Sequence, residues 1–525
     1  MYQINIRNAS DIATNLLNKK VTQSNISYLI QYGVIDFINQ DNTIYLHKEQ
    51  FYNYFQKQKS KEQIYKQKFG DEINWALSFE QYKESETTKH VHRLHPYKGK
   101  FIPQLVEYFL DSHTDNFKKE VYFKKGDIVL DPFCGSGTTL IQANELGIHS
   151  IGIDVSPFNA FIANTKLSKV DIQELKDILD DINNKLDIFI KDKNNIAFEN
   201  ELLEELNRFN NQFFPSPEFR KKVRNKEIND KIYGKEKEEL FLPIYQELLN
   251  KYNIQISSTN QIKGFLDKWY IVPIRKEIDC IFNEIKKIKK QEIKNIVALI
   301  LSRTIRSCRA TTHADLATLK EPQLTPYYCK KHGKICKPLF TIKNWFSRYS
   351  KDTIKRLKEF NSLRSDVFSR CLVGDSRNID IFEKVKDEDF KKLLQKQKIK
   401  GIFSSPPYVG LINYHEQHEY AYELFGFKRN DDKEIGPLFK GKGAKAKEEY
   451  IEGISQVLIN SKKYLADGFD IFLVANDKFN LYPIIAQKAG LKIVNEFKRP
   501  VLNRVEKDRN NPYSESVFHM KEIIR

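Results

Sequence analysis

Residues 127–139, with the sequence DIVLDPFCGSGTT, decide the fold of this 525-residue chain. Residues 128–130 are apolar and favour a buried β-strand that ends at Asp131. Gly135 and Gly137 follow in a short turn, where glycine lets the backbone come close to a ligand. The next residues, LIQAN at 140–144, begin a helix. A strand, a glycine turn and a helix in this order indicate a Rossmann-type nucleotide site.

A second strand, SIGID at 150–154, follows this helix and ends in a carboxylate. Asp154 lies about 20 residues beyond the first strand, where an acidic side chain can bind ribose hydroxyls. The glycine pattern is Gly-x-Gly, which is shorter than the dinucleotide fingerprint and disfavours NAD. The chain lacks the Gly-Lys-Ser/Thr of a P-loop, so that class of nucleotide site is excluded.

A third stretch, SSPPY at 404–408, ends the apolar run of residues 400–403. Its two prolines fix φ and stiffen the backbone just beyond a strand. Ser405 Oγ and the Pro406 carbonyl can accept the two N–H bonds of an exocyclic amine, and Tyr408 can stack on the ring that carries the amine. Taken alone, the stretch also fits a Pro-Pro turn that binds nothing.

Together, DPFCGSGTT at 131–139 and SPPY at 405–408 resemble the amino-directed DNA methyltransferases, which transfer a methyl group from S-adenosylmethionine to exocyclic nitrogens. HPYKGKFIP at 95–103 is similar to the family's cofactor-contacting segment, and GDSR at 374–377 to the segment before its catalytic strand. Ser405 resembles the cytosine-N4 branch, since adenine-N6 enzymes usually have Asp or Asn there. The resemblance covers residues 90–170 and 370–520.

The resemblance implies a catalytic set and a cofactor-binding set of residues. The catalytic set is the turn itself: Ser405, Pro406, Pro407 and Tyr408. The cofactor-binding set surrounds the glycine loop and the neighbouring strand ends, with Asp154 on the ribose and Asp375 near the adenine. Its members are Tyr97, Lys98, Asp131, Phe133, Gly135, Ser136, Gly137, Thr138, Asp154, Ser156, Pro157, Asp375 and Ser376. Transfer would be direct, because a C5-cytosine enzyme needs a nucleophilic cysteine, usually after proline, and none of the six cysteines follows one.

The composition favours a nucleic acid as partner. Lys and Arg number 86 against 69 acidic residues, a net charge of +17 that suits a phosphate backbone. A general bias toward lysine would account for part of this excess. We find no signal-like N-terminal run and no apolar stretch long enough for a membrane span, so we expect a cytoplasmic protein without membrane contact.

The fold class predicted is α/β: a Rossmann-like methyltransferase sheet, a largely helical inserted domain and a small N-terminal unit. Residues 1–70 are interpreted as a helix-turn-helix-like unit with a linker, although a compact docking domain fits equally well. Residues 71–170 and 366–525 are predicted to form the cofactor-binding and catalytic halves. The intervening residues 171–365 are assigned to target recognition.

A basic stretch at 302–337 is predicted to be the part of the insert that faces DNA. The candidate phosphate contacts there are Arg303, Arg306, Arg309, Lys330 and Lys331. Lys442, in the lysine-rich segment 439–447, is predicted to lie on a flexible loop that closes over DNA.

The same stretch contains a possible zinc site. Cys329, His332 and Cys336 have metal-ligand spacing, and Cys308 is a candidate fourth ligand. Reduced thiols in a small core are the alternative. His415 and His418 follow the catalytic turn, and we interpret them as structural or pocket-edge residues, because the cytosine amine needs no strong base before methyl transfer.

The function predicted is methylation of the N4 amine of a flipped cytosine in double-stranded DNA, within a restriction–modification system that would include a cognate endonuclease. Adenine-N6 methylation is the first alternative. Methylation of an RNA or protein amine is another, and a DNA-binding regulator with an inactive methyltransferase fold is a third.

Overall fold

The computed structural model describes residues 2–17, 20–70, 73–79, 81–191, 194–257, 264–313, 321–501 and 512–523. The chain divides into two compact units. The first contains residues 1–70, 184–280 and 308–343. The second contains residues 71–183, 281–307 and 344–525, and we call it the methyltransferase unit.

The methyltransferase unit is built on a seven-stranded sheet within the described residues. Its strands in chain order are β4 (Ile128–Asp131), β5 (His149–Asp154), β8 (Ser369–Val373), β9 (Ile399–Ser404), β10 (Leu465–Ala475), β11 (Leu491–Pro500) and β12 (Ser514–Glu522). The spatial order is β11-β12-β10-β9-β4-β5-β8. Strands β10, β9, β4, β5 and β8 are parallel, whereas β12 is antiparallel to both β10 and β11. This sheet confirms the predicted α/β class.

Apolar side chains cover both faces of this sheet, as a parallel sheet requires. Along β4, Ile128 and Leu130 enter one buried cluster and Val129 enters the other. The helices that accompany the sheet are α4 (Glu84–Thr87), α5 (Pro103–Leu110), α6 (Thr138–Glu145), α7 (Pro157–Leu167), α8 (Ile172–Lys191), α14 (Gln291–Ser307), α15 (Lys343–Asn361), α16 (Ile381–Lys384), α17 (Glu388–Gln397), α18 (Glu419–Phe425), α19 (Ala444–Lys462) and α20 (Tyr482–Lys488).

The first unit begins with two short helices and a small sheet. They are β1 (Tyr2–Asn5), α1 (Ile6–Leu17), α2 (Gln23–Gln31), β2 (Phe37–Gln40), β3 (Thr43–His47) and α3 (Lys48–Phe69), with strand order β1-β3-β2. Thr22 caps α2 and forms a capping box with Asn25. The unit thus contains two helices followed by a β-hairpin, and the segment predicted as a linker continues α3. A helix-turn-helix-like role for residues 1–70 stays a prediction.

The remainder of the first unit is helical apart from one hairpin. Its helices are α9 (Asn195–Phe213), α10 (Glu218–Arg224), α11 (Asp230–Lys251), α12 (Phe265–Trp269) and α13 (Val272–Lys287), and its strands are β6 (Tyr327–Cys329) and β7 (Lys334–Cys336). Helix α10 holds the N-terminal part: Arg220 lies over the Tyr32 ring, 4.1 Å from its centroid, and Lys221 pairs with Asp36. The N-terminal residues therefore fold together with part of the insert.

The division between units differs from the predicted boundaries, because α14 and α15 pack within the methyltransferase unit. Ser302 Oγ on α14 lies 3.0 Å from His95 Nε2, and Phe360 on α15 stacks on His90. Most of α14 is buried. Arg303 and Arg306 had placed the end of α14 in the predicted recognition stretch, but an apolar stripe that is buried on folding decides where a helix packs.

Candidate active site

The candidate site is a pocket at the carboxyl ends of four adjacent parallel strands. Asp131 ends β4 and Asp154 ends β5, while Asp375 and Ser405 lie just beyond β8 and β9. All four line one pocket. Ligands of open α/β sheets bind at this edge, where polar groups are brought together by the sheet itself.

The glycine loop between β4 and α6 forms one wall. Gly135 and Gly137 have φ of +51° and +83°, a conformation that glycine adopts without strain. A Cβ on Gly137 would lie 2.9 Å from Ala163 Cβ, and one on Gly135 would lie 3.0 Å from the Tyr97 ring. The two glycines are therefore needed both for the turn and for close packing against neighbouring side chains.

Asp154 holds this loop in place. Its carboxylate accepts hydrogen bonds from the backbone N–H groups of Gly135 and Ser156, both at 2.8 Å, and from Asn159 Nδ2 at 3.1 Å. Burial raises the pKa of Asp154 to about 6, although these donors act in the opposite direction. The side chain thus combines a structural role with a position on the pocket wall.

Asp131 links strand β4 to strand β9. Ser404 Oγ, at the end of β9, donates to Asp131 Oδ1 at 2.5 Å. The carboxyl group is almost completely buried, and this burial raises its pKa to about 6. Asp131 therefore fixes β4 against β9 at the point where both strands reach the pocket.

Two buried polar atoms of the pocket residues have no hydrogen-bond partner among the described residues. They are Ser136 Oγ in the glycine loop and Asn159 Oδ1 on α7. Buried polar atoms are normally paired, so unpaired ones in a pocket wall indicate a polar ligand. Hydroxyl, amine and carboxylate groups of S-adenosylmethionine would provide such partners, and the residues present fit that cofactor.

The β8 side of the pocket is ordered by two polar contacts. Ser376 Oγ donates to the Pro132 carbonyl at 2.6 Å. Arg377 binds Asp375 through both Nε and Nη2. Burial acts to raise the pKa of Asp375, but the hydrogen bonds from Arg377 outweigh it and leave the pKa below its usual value.

The predicted catalytic turn, residues 405–408, is held by hydrogen bonds from its two hydroxyl side chains. Ser405 Oγ donates to the Val474 carbonyl at 3.0 Å. Tyr408 Oη donates to Glu515 Oε1 at 3.0 Å, and Glu515 in turn pairs with buried Arg499. These contacts fix Ser405 Oγ and the Tyr408 ring from behind the turn.

The structure gathers most of the predicted site residues. Ten cofactor-binding candidates line the pocket, namely Tyr97, Asp131, Phe133, Gly135, Ser136, Thr138, Asp154, Ser156, Asp375 and Ser376, together with Ser405 and Pro407 of the catalytic set. Lys98, Gly137, Pro157, Pro406 and Tyr408 do not line it: Gly137 and Pro157 begin helices, and Tyr408 packs against the core of the sheet.

Several pocket residues escaped the sequence analysis. These are Lys100, Phe101, Asn159, Tyr414, Lys433, Glu434 and Ile435. Lys100 and Phe101 lie in the HPYKGKFIP motif, which was a usable signal. Tyr414, Lys433 and Glu434 lie beyond the catalytic turn in loops without a motif. His415 contacts Glu434 through Nδ1, and both His415 and His418 are buried, as the structural interpretation expected.

Two predicted DNA contacts are corrected by burial. Arg303 and Arg309 are each 7% exposed. Arg303 donates to Asp352 at 2.7 Å and its guanidinium lies over the Tyr349 ring, so it supports α14. Arg306 lies on the same helix and is partly buried, while Lys330 and Lys331 are exposed in the β6–β7 turn.

Two further predictions are changed by local structure. The lysine-rich segment 439–447 is not one flexible loop, because α19 begins at Ala444; Lys442 is exposed just before it. Cys308 is buried away from the predicted metal group, and His313 joins Cys329, His332 and Cys336 instead.

The strand order and the glycine loop define a Rossmann-like methyltransferase. Comparison with known proteins agrees: the N6/N4 family model described as DNA methylase matches residues 11–165. The chain is 48% identical to the Type II methyltransferase M.MjaII of Methanocaldococcus jannaschii, over 98% of this chain and 96% of that protein. It is 36% identical over 94 residues to M.BsoBI of Geobacillus stearothermophilus (18% and 17%) and 29% identical over 115 residues to M.MvaI of Kocuria varians (22% and 24%).

The chain therefore belongs to the Type II DNA methyltransferases of the amino-methylase family. This membership confirms the resemblance found in the motifs, and it implies S-adenosylmethionine as the methyl donor and DNA as the substrate. Within the described ranges, no helix is both long and apolar enough to cross a membrane.

Proposed function

We propose that this enzyme methylates the exocyclic N4 amine of cytosine in double-stranded DNA. The observation that carries the proposal is the position of Ser405, which lies at the end of β9 and shares one pocket with Asp154 and the glycine loop. The proposed amine acceptor and the proposed cofactor-binding groups therefore line one cavity. The target base must leave the duplex to reach it, since the amine is inaccessible in the stacked helix.

Ser405 is oriented to accept a hydrogen bond. Its single hydroxyl proton is donated to the Val474 carbonyl, which leaves the oxygen lone pairs for an incoming N–H. The Pro406 carbonyl would accept the second N–H of the amine. Two acceptors on one amine localise the nitrogen lone pair away from the ring plane, toward the methyl donor.

Neither Pro406 nor Tyr408 lines the cofactor pocket, so the flipped base would bind beside that pocket, against the half-buried Tyr408 ring next to Pro407. The Tyr408 hydroxyl is held by Glu515, so little ordering of the ring is needed on binding. Burial raises the pKa of the Tyr408 hydroxyl well above its usual value, which keeps it a neutral hydrogen-bond donor to Glu515.

S-adenosylmethionine supplies an electrophilic methyl group on a sulfonium. Asp154 would accept from the ribose hydroxyls, and Ser136 and Asn159 offer the unpaired polar atoms described above. The amine nitrogen would form the new N–C bond as the bond between the methyl carbon and the sulfonium sulfur breaks, which leaves a neutral thioether, and the surplus amine proton would leave to solvent. Since no covalent enzyme intermediate is needed, positioning provides most of the acceleration.

For target recognition, we propose two exposed surfaces of the first unit. One is the turn of the β6–β7 hairpin, where Lys330 and Lys331 are exposed. The other is the polar start of α2, where Gln23 and Ser24 are exposed. Basic side chains would position DNA through phosphates, and short polar side chains at a helix start are suited to base edges.

The test of target chemistry is product identification. Plasmid DNA incubated with the enzyme and S-adenosylmethionine is digested to nucleosides and analysed by mass spectrometry, with the Ser405→Ala variant as control. N4-methylcytosine is the expected product. N6-methyladenine as sole product would replace the cytosine proposal with the adenine-N6 alternative, and methylation of RNA but not DNA would contradict both.

A cognate restriction endonuclease is the partner we propose for a Type II methyltransferase. Plasmid DNA recovered from cells that express the enzyme should resist cleavage by an endonuclease that cuts the unmethylated form of the same recognition sequence. Full cleavage of DNA whose modification has been verified, by a candidate endonuclease with the same recognition sequence, would exclude that endonuclease as the partner.

A further inference from the structure

The β6–β7 hairpin brings together two cysteines and one histidine. Cys329 ends β6, His332 lies in the turn and Cys336 ends β7. His313 lies 14 residues before Tyr327, the first residue of β6, and its side chain contacts the Tyr327 hydroxyl beside the two cysteines. One potential ligand atom from each of the four side chains lies within 4.8 Å of all the others.

The distances between these atoms match the edges of a tetrahedron around a metal ion. His332 Nδ1 lies 3.5 Å from Cys329 Sγ and 3.3 Å from Cys336 Sγ. His313 Nδ1 lies 3.6 Å from Cys329 Sγ. A tetrahedral zinc ion, bonded at about 2.3 Å to sulfur and about 2.0 Å to nitrogen, separates sulfur from nitrogen by about 3.5 Å.

We propose that His313, Cys329, His332 and Cys336 bind a structural zinc ion. Two thiolates and two imidazoles are a soft ligand set that selects zinc over magnesium or calcium. Four protein ligands leave no open coordination position, so the ion would stabilise structure and would not bind substrate.

The backbone of the turn is shaped for this arrangement. The N–H groups of His332 and Gly333 both donate to the Cys329 carbonyl, at 3.0 and 2.6 Å. Gly333 has φ of +63°, which lets the chain reverse within four residues. This reversal directs the side chains of Cys329 and His332 to the same side of the hairpin.

The hairpin has a small buried cluster of its own. Each strand has three residues, and the cluster consists of Tyr327, Cys329 and Cys336, so two of its three members are thiols. The hairpin is also anchored to α9, where Asn210 exchanges two hydrogen bonds with the Ile335 backbone. A metal ion that joins both strands to His313 would cross-link the hairpin to the preceding segment.

The contact between Tyr327 and His313 is compatible with metal binding. Tyr327 Oη accepts from the His313 backbone N–H at 2.9 Å and lies 2.8 Å from His313 Nδ1. This pair keeps the imidazole beside the hairpin. Coordination through Nε2 would retain the side-chain hydrogen bond, and coordination through Nδ1 would replace it.

Two other groups of possible ligands in the described part of the chain are less suited to zinc. They are His90, His92 and Glu145, and His415, Asp431 and Glu434. Neither contains a thiol, and each of the three carboxylates is already engaged: Glu145 pairs with Lys89, Asp431 pairs with Arg429, and Glu434 contacts His415.

The first experiment measures metal in the whole protein. The full-length enzyme is purified in reducing buffer without chelators, and its zinc is measured by plasma mass spectrometry. About one zinc ion per chain is expected. Cobalt(II) exchanged into the wild-type protein should give the intense visible bands of a tetrahedral, thiolate-bound ion. Absence of zinc from protein whose thiols are reduced and titratable would overturn the proposal.

The second experiment tests the ligand set. His313→Asn and Cys329→Ser should each lose most of the bound zinc, whereas Cys308→Ser, the matched control, should retain it. Loss of zinc from Cys308→Ser with full retention by His313→Asn would overturn the assignment of His313. If a variant fails to fold, the cobalt spectrum of the wild-type protein still tests whether thiolates bind the metal.

Discussion

The strand-end pocket and the β6–β7 hairpin both gather polar side chains, but by different means. The pocket takes Asp131, Asp154, Asp375 and Ser405 from four strands that are far apart in the sequence. The hairpin gathers three of the four proposed zinc ligands within eight residues. In the pocket a seven-stranded sheet fixes the geometry, whereas the hairpin has two strands of three residues each. Substitutions in the pocket should therefore lower activity, whereas substitutions of the proposed zinc ligands should lower the stability of the hairpin.

The largest effect is expected for Ser405→Ala. Removal of an acceptor positioned for the reacting amine should lower kcat by about 100-fold or more, as for other preorganised hydrogen-bonding groups in active sites. S-adenosylmethionine affinity, measured by calorimetry, should remain unchanged. Ser362→Ala, at an exposed serine of the same unit, is the control. Wild-type turnover in Ser405→Ala would remove the serine from the mechanism.

A smaller effect is expected at Tyr408, where two variants separate ring from hydroxyl. Tyr408→Ala loses stacking worth about 1–3 kcal/mol per base, and turnover should fall by roughly tenfold to 100-fold. Tyr408→Phe loses the hydrogen bond to Glu515, which is worth about 1 kcal/mol, and should keep most of the activity. Single-turnover rates distinguish the two. Equal losses in both variants would mean that the hydroxyl acts in its own right.

Asp154→Asn should weaken S-adenosylmethionine binding by about tenfold, since one charge-assisted hydrogen bond to the ribose is lost. Wild-type affinity should also fall as the pH drops through about 6, because protonation removes the acceptor. The raised pKa has the opposite sign for folding: burying the charge costs stability above about pH 6, and the cost is relieved as the pH falls. Calorimetry at several pH values, with exposed Asp467→Asn as control, measures the binding effect. The same pH dependence in Asp154→Asn would assign it to another group.

The smallest effect is expected at the hairpin turn. Changing Lys330 and Lys331 to Gln together should weaken DNA binding several-fold and reduce the salt slope by about 2, provided that both lysines contact phosphates. Fluorescence anisotropy over a salt series measures both quantities. The matched control changes Lys392 and Lys396, exposed on α17. An unchanged slope in the hairpin variant would exclude phosphate contact there.

The pocket was largely predictable from sequence because motifs at strand ends specify backbone geometry. Asp131, the two glycines and Asp154 each follow an apolar strand, and the parallel sheet then brings them together. Tyr414 and Glu434 could not be found in this way, since they come from loops whose path depends on tertiary packing. The sequence therefore predicts the site residues that lie at strand ends, and it does not predict those that lie in loops.

Charge was a poorer guide than pattern. Arg303 and Arg309 were assigned to DNA because they lie in a basic stretch, yet both are buried, and Asp352 neutralises Arg303. A sequence shows the sign of a charge but not its partner 49 residues away. For the hairpin, spacing identified Cys329, His332 and Cys336, whereas His313 was missed because it lies in a separate segment.

The pairing of β4 with β9 has a consequence for biosynthesis. Leu130 pairs with Ile402, so one edge of β4 waits for a strand that the ribosome completes tens of seconds later at about 5–20 residues per second. Closing so long a loop costs little stability, because its entropy grows only with the logarithm of length, but it slows folding. During that interval the edge of an apolar strand is open to other chains. We therefore expect the nascent enzyme to be most prone to aggregation after β4 has been synthesised and before β9 is complete.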